Sequence, residues 1–204
     1  MKSLYNYIVK PIGDRYNNSV NVGDKKLILN TEIFNHQYVN RHAEVISVPL
    51  ASNSEIQVGD TVIVHHNVFR RWHDIKGKER NSKSYYKEDM YFVAEDQIYA
   101  YKKIANWSRF KYSKWFALKG FCFIKPIKHD NVLFPNKEKP LVGIVKYSDG
   151  SVEVNDLVGF TPGSEYEFVI DNEKLYRVYS KFITIKYEYQ GNEEEYNPSW
   201  AQSS

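Results

Sequence analysis

One eight-residue stretch is written twice in this chain. Tyr5-Asn6-Tyr7-Ile8-Val9-Lys10-Pro11-Ile12 returns 115 positions later as Gly120-Phe121-Cys122-Phe123-Ile124-Lys125-Pro126-Ile127. The segments downstream of each copy correspond as well. Ala43-Glu44-Val45-Ile46 is echoed by Leu141-Val142-Gly143-Ile144-Val145-Lys146, and Val58-Gly59-Asp60-Thr61-Val62-Ile63-Val64 by Val154-Asn155-Asp156-Leu157-Val158-Gly159-Phe160. The last two runs of the first copy, at 91–94 and 97–102, correspond to 174–179 and 181–186. A chain built this way must fold as one small unit made twice. The shrinking distance between echoes means that the second copy keeps its strands and shortens its loops.

Those runs are apolar, β-branched or aromatic and are separated by turn formers, so they read as strands. No 3.6-residue periodicity persists over three turns, and helices should be few. The expected class is all-β, as two tandem partly open β-barrels joined by an aromatic-rich segment. The expected boundaries are residues 1–103 for the first barrel and 104–118 for the connector. The second, shorter barrel takes 119–190, and an extended C-terminal tail takes 191–204. The first copy alone carries a long polar loop, 13–41, enclosing Leu27-Ile28-Leu29, and a charged insertion, 70–87.

Composition narrows the function classes. The 204 residues hold 17 Tyr, 11 Phe and 4 Trp, a supply of amphipathic contact surface suited to interfaces. The net charge of +3 is too small to argue for nucleic acid on its own. Cys122 is the single cysteine and lies in an apolar run, so it reads as a buried thiol. No run approaches the roughly 20 apolar residues that span a bilayer, and the first residues lead into a strand without a signal-peptide core. Action in a cytoplasm is the expectation.

Four elements in order, taken twice, resemble the GroES-like co-chaperonins, the small chaperonin caps of bacteria and their phage-encoded versions. The opening strand is Tyr7-Ile8-Val9-Lys10-Pro11, followed by a mobile-loop region and the strand Ala43-Glu44-Val45-Ile46. Then come the Val58-Gly59-Asp60-Thr61-Val62 turn and the closing strand Asp96-Gln97-Ile98-Tyr99-Ala100. The resemblance implies an oligomer that docks on a chaperonin ring and assists folding without catalysis or cofactor, in the cytoplasm of an infected bacterial host. It places the partner grip at Leu27, Ile28 and Leu29, three aliphatic side chains on a polar loop, while a core strand is the plainer reading of the same residues. The shorter loop 128–139 of the second copy, with Val132-Leu133-Phe134, is less suited to that reach. A phage virion component, in head, connector or tail, is the alternative that the aromatic content supports.

Trp107, Phe110, Trp115, Phe116 and Trp200 are the candidate interface residues. Arg70, Arg71, Lys76 and Lys78, beside Tyr85 and Tyr86, are candidates for nucleic-acid contact, diluted by Asp74, Glu79, Glu88 and Asp89. His65, His66 and His73 near Asp60 lack a zinc-ligand spacing, and on a strand His65 and His66 would face opposite ways. No metal site and no enzyme activity are expected.

Overall fold

The computed structural model describes residues 3–28, 35, 38–103, 114–129, 137–188 and 191–202. The chain divides into two compact units, Met1–Trp115 and Phe116–Ser204. The first runs through β1 (Tyr7–Pro11), β2 (Ser19–Val22), β3 (Lys25–Ile28), β4 (His42–Ser47), β5 (Thr61–Val64) and β6 (Arg71–His73). It continues with β7 (Glu79–Asn81), β8 (Tyr85–Lys87), β9 (Met90–Val93) and β10 (Ile98–Lys102), and β11 (Trp115–Ala117) lies across the boundary between the units. The second holds β12 (Phe121–Lys128), β13 (Glu138–Tyr147), β14 (Leu157–Phe160), β15 (Tyr166–Ile170), β16 (Glu173–Tyr179) and β17 (Ile183–Tyr187).

The main sheets have orders β11-β10-β5-β4-β1-β9-β8 and β15-β16-β12-β13-β14-β17. Taken in opposite directions, they are the same six-strand arrangement. β8, β9, β1, β4, β5 and β10 stand where β15, β16, β12, β13, β14 and β17 stand, and β11 is an addition to the first. Two further sheets, β2-β3 and β6-β7, have two strands each.

The likeness extends to irregularities. Register slips between Ile8 and Val9 against β4, and between Phe123 and Ile124 against β13. A second slip separates Ile98 from Ala100 on β10, and its counterpart falls between Gly159 and Phe160, opposite Ile185 and Ile183. The turn before the central strand is also shared. Val45 N–H donates to the Asp60 carbonyl at 2.9 Å, as Val145 N–H does to that of Asp156 at 2.9 Å. The Asp60 carboxylate accepts from Gln57 N–H and the Asp156 carboxylate from Glu153 N–H, at 2.8 and 3.1 Å. Gly59 and Asn155 sit before these aspartates in the left-handed region, at φ 89° and 74°. Tight hairpins join β8 to β9 and β15 to β16, each through two left-handed residues, Glu88-Asp89 and Asp171-Asn172.

The barrel expectation is corrected: the all-β character holds, but both sheets are open. Each ends in strands that do not pair with one another, β11 and β8 in one, β15 and β17 in the other. Bulges curl a sheet, but closure needs its two edges to meet. Here β8 is three exposed residues, and β17 is exposed from Thr184 onward. Short strands with frequent turns are common to barrels and open sheets, so the pattern alone does not separate them.

The cores follow the strand alternation. β4 shows it plainly, with Ala43, Val45 and Ser47 buried and Glu44 exposed. In the second unit Ile124, Val145, Val158, Phe160 and Val178 form one cluster, and Ile127, Ile144 and Leu157 another. β12 is buried on both faces through Ile127.

Candidate functional site

The 13–41 loop and the 70–87 insertion, both longer than their counterparts in the second copy, rise from a common base. Tyr16 bridges to Val39 and closes the neck of the 13–41 loop, where Asn17 N–H donates to Tyr38 O at 2.7 Å and Asn40 N–H to Arg15 O at 2.9 Å. Asn40 ties both sides together, its amide donating to the Ile12 and Asp14 carbonyls at 2.8 Å each. From this neck Arg15 reaches the other segment. It donates to Phe69 O through Nε at 3.2 Å and Nη2 at 2.8 Å, and to Asn81 Oδ1 at 2.8 Å. Tyr16 accepts from Arg71 N–H at 2.8 Å, and the Arg71 guanidinium lies 4.7 Å from its ring centroid. Tyr91, fully buried, packs edge-on to Phe69 beneath Arg15. Burial pushes its phenol up to about 12.

Beyond the neck, β2 and β3 form a two-stranded ribbon turning at Gly23, φ 59°. Three of its apolar residues face water: Leu27 is 54% exposed, Ile28 58% and Val22 61%. The plainer reading of Leu27 and Ile28, a buried core strand, is excluded. Leu29 lies outside the described residues, as does the 130–136 part of the second unit's loop.

The other projection is the β6-β7 hairpin. Asp74 organises its tip, accepting from the main-chain N–H groups of Lys76 and Lys78 at 2.9 and 3.0 Å and from Arg80 at 3.0 Å. Those bonds, the one from Lys78 foremost, hold its carboxyl below the usual range. Glu79 pairs with Arg71 at 2.9 Å. Both acids within the hairpin are therefore engaged by arginines, leaving Lys76 and Lys78 exposed at the tip beside a fully exposed Ile75. Trp72 donates its indole N–H to Asn81 O at 3.0 Å and keeps its ring 45% exposed. Arg70 stands half-buried at the base.

The candidate interface aromatics are dispersed. Trp115 is buried in the first sheet, edge-on to His42 and with the Lys102 ammonium 5.4 Å from its ring. Phe116 is 43% exposed, and Trp107 and Phe110 lie outside the described residues. Trp200, 51% exposed, stands near Lys174, whose ammonium is 5.9 Å from its ring. The tail, read from sequence as merely extended, is strapped to the second unit. Lys128 N–H donates to Glu194 O at 2.7 Å and Tyr196 N–H to Pro126 O at 2.9 Å. Glu195 pairs with the buried Lys125, which also binds Glu173 at 3.0 Å.

His65 and His66 do not alternate across a strand. β5 ends at Val64, and a 3-10 turn brings their rings into a stack 4.2 Å apart. Among the described residues, no group of three or more His, Cys, Asp or Glu could hold a metal ion. Cys122 is buried, its sulfur 3.4 Å from Ser180 Oγ. Among the described residues no helix is long and apolar enough to cross a membrane.

Sequence reasoning missed Arg15, Tyr16 and Ile75. For Ile75 a signal existed, since Asp74-Ile75-Lys76-Gly77 has the residues of a tight turn and places its apolar member at the apex. No protein-family model, curated protein or solved structure matches this chain.

Proposed function

We propose that this chain is a non-catalytic docking protein whose first unit grips a chaperonin ring through the β2-β3 ribbon, the second unit serving as scaffold. The observation that carries it is the exposure of Leu27 and Ile28 on a ribbon whose neck is fixed by Tyr16 and Asn40. Such side chains cost nothing to the fold when buried by a partner, and each contributes about 1.5–3 kcal/mol of transfer free energy. A neck that is already ordered also reduces the entropy lost on docking. The ring as partner comes from the co-chaperonin resemblance of the four strand motifs.

The test is sedimentation of the purified chain with a purified bacterial chaperonin, with and without nucleotide. Wild type should co-sediment. Leu27→Ser/Ile28→Ser should bind on the order of 100-fold more weakly while unfolding at the same denaturant concentration. Absence of binding by the wild type, or equal binding by the variant, overturns the reading.

A second reading, a component of a phage particle, draws on Phe116 and Trp200, aromatic rings about half exposed on described segments. Static interfaces with other virion proteins would cover them. Recovery of the chain from purified particles, and not from host cytoplasm, would favour it.

A further inference from the structure

Positive charge is concentrated in one segment of this chain. The net charge of the whole is +3, yet residues 70–87 hold seven arginines and lysines against two acids, Asp74 and Glu79. The fold removes even that dilution. Asp74 is taken up by Arg80 and the tip main chain, its side chain 16% exposed, and Glu79 is taken up by Arg71. Arg70 is half-buried and Arg71 is committed to Tyr16 and Glu79, so the open charge lies beyond the base, along the β6-β7 hairpin.

The register of that hairpin sorts its side chains. Trp72 pairs with Arg80, which puts the two side by side on one face of the ribbon. The ladder runs on past β7, with Asp74 N–H donating to Lys78 O at 2.9 Å. Lys78, two residues from Arg80, therefore stands on the same face, roughly 6.7 Å along. Arg80 uses Nε on Asp74 at 3.0 Å, and its η nitrogens make no bond among the described residues. The indole N–H of Trp72 donates to Asn81 O at 3.0 Å, which fixes the ring while 45% of the residue stays exposed.

A fixed aromatic ring with cations spaced beside it is the arrangement that holds a single strand of nucleic acid: bases stack on the ring and the backbone follows the charges. An arginine fork also matches a phosphate better than a point charge does. A bilayer would be met tip-first, by Ile75 and Lys76, and would leave unused a ring set back on β6. A duplex keeps its base faces stacked on one another and leaves the ring unused as well.

We propose that the Trp72 face of the β6-β7 hairpin binds single-stranded nucleic acid, a base stacking on Trp72 and phosphates taken by Arg80, Lys78 and, at the tip, Lys76. The proposal goes beyond the docking reading and does not depend on it, since the β2-β3 ribbon takes no part.

The test is fluorescence anisotropy of labelled oligothymidylate titrated with the full chain. Three phosphate contacts give a fall in affinity of roughly 20-fold between about 50 and 200 mM salt. In Lys76→Gln/Lys78→Gln that fall should shrink to about threefold. This variant changes only exposed side chains and keeps the main-chain bonds to Asp74, so its unfolding transition should match wild type. Trp72→Ala should weaken binding about fivefold or more at either salt concentration. No binding at the lower salt, equal salt dependence in wild type and the lysine variant, or undiminished binding by Trp72→Ala overturns the proposal. So does an oligoadenylate–oligothymidylate duplex bound as tightly as the single strand. Capture by phosphatidylserine vesicles that oligothymidylate does not displace, lost in Ile75→Ser, overturns it in favour of a lipid surface.

Discussion

The main-chain N–H of Arg71 donates to the Tyr16 hydroxyl at 2.8 Å, and the Arg71 guanidinium lies 4.7 Å from the same ring's centroid. One residue at the neck of the long loop thus holds the entry to the β6-β7 hairpin twice, by a hydrogen bond and by a cation–π contact. Both projections of the first unit share that joint.

Tyr16→Phe keeps the ring and the cation–π contact but leaves the Arg71 N–H without its acceptor. The expected cost is about 1–3 kcal/mol. Chemical denaturation should show it in the first unit, and amide exchange should speed up at residues 71–81.

The paired turns respond unequally to one substitution. Gly59, at φ 89°, occupies a conformation that a Cβ disfavours by about 1–2 kcal/mol. Gly59→Ala should therefore destabilise by that amount. Asn155 holds the equivalent place at φ 74°, and Asn155→Gly should be neutral or stabilising. Thermal unfolding of the two variants checks both signs.

The features legible in the residues alone were local and repeated. The duplication was visible because matched strands keep their apolar alternation, and because Gly-Asp and Asn-Asp serve the same left-handed turn. Closure was not visible, since it depends on whether β15 meets β17 and β11 meets β8, relations between distant edges. The strand Tyr166–Ile170 was missed for a related reason: its place is set by the Asp171-Asn172 turn and pairing with β16. Leu27 and Ile28 could be named from an aliphatic run in a polar loop, but their exposure depends on the neck that Tyr16, Val39 and Asn40 close. The strapped tail rests on pairs such as Lys125 with Glu195, 70 positions apart, which no periodicity reveals.

Acid should weaken the second unit. Burial pushes the Glu173 carboxyl up, but hydrogen bonds from Lys146 and Lys125 outweigh it and hold the group below its ordinary 4.5. Burial likewise raises Asp149, and bonds from the Ser151 side chain and backbone, Gly120 N–H and Ser180 outweigh it, keeping it below 3.8. Because the folded values lie below the unfolded ones, this stabilisation is complete above the unfolded values and drains as pH falls through the folded ones. Denaturation midpoints of the second unit should fall below pH 4.5, less steeply in Glu173→Gln.

Removing residues 191–204 takes Glu195 from Lys125 and exposes the Lys125 and Lys174 region that the tail covers. Burial pulls the Lys174 ammonium down, and bonds with Tyr176 and Glu138 more than restore it, so that cluster survives the truncation. Lys125 keeps only Glu173 among these partners. A loss of about 1–3 kcal/mol is expected in the second unit, measured by urea unfolding with the first unit unchanged.

The most direct test of a gripping first unit is amide exchange of the full chain with and without a saturating purified chaperonin ring. Protection concentrated at residues 19–28, with the β15-β16 hairpin of the second unit unchanged, is the expected result. No protection at 19–28, or protection centred on the second unit, would contradict the assignment of the grip to Leu27 and Ile28.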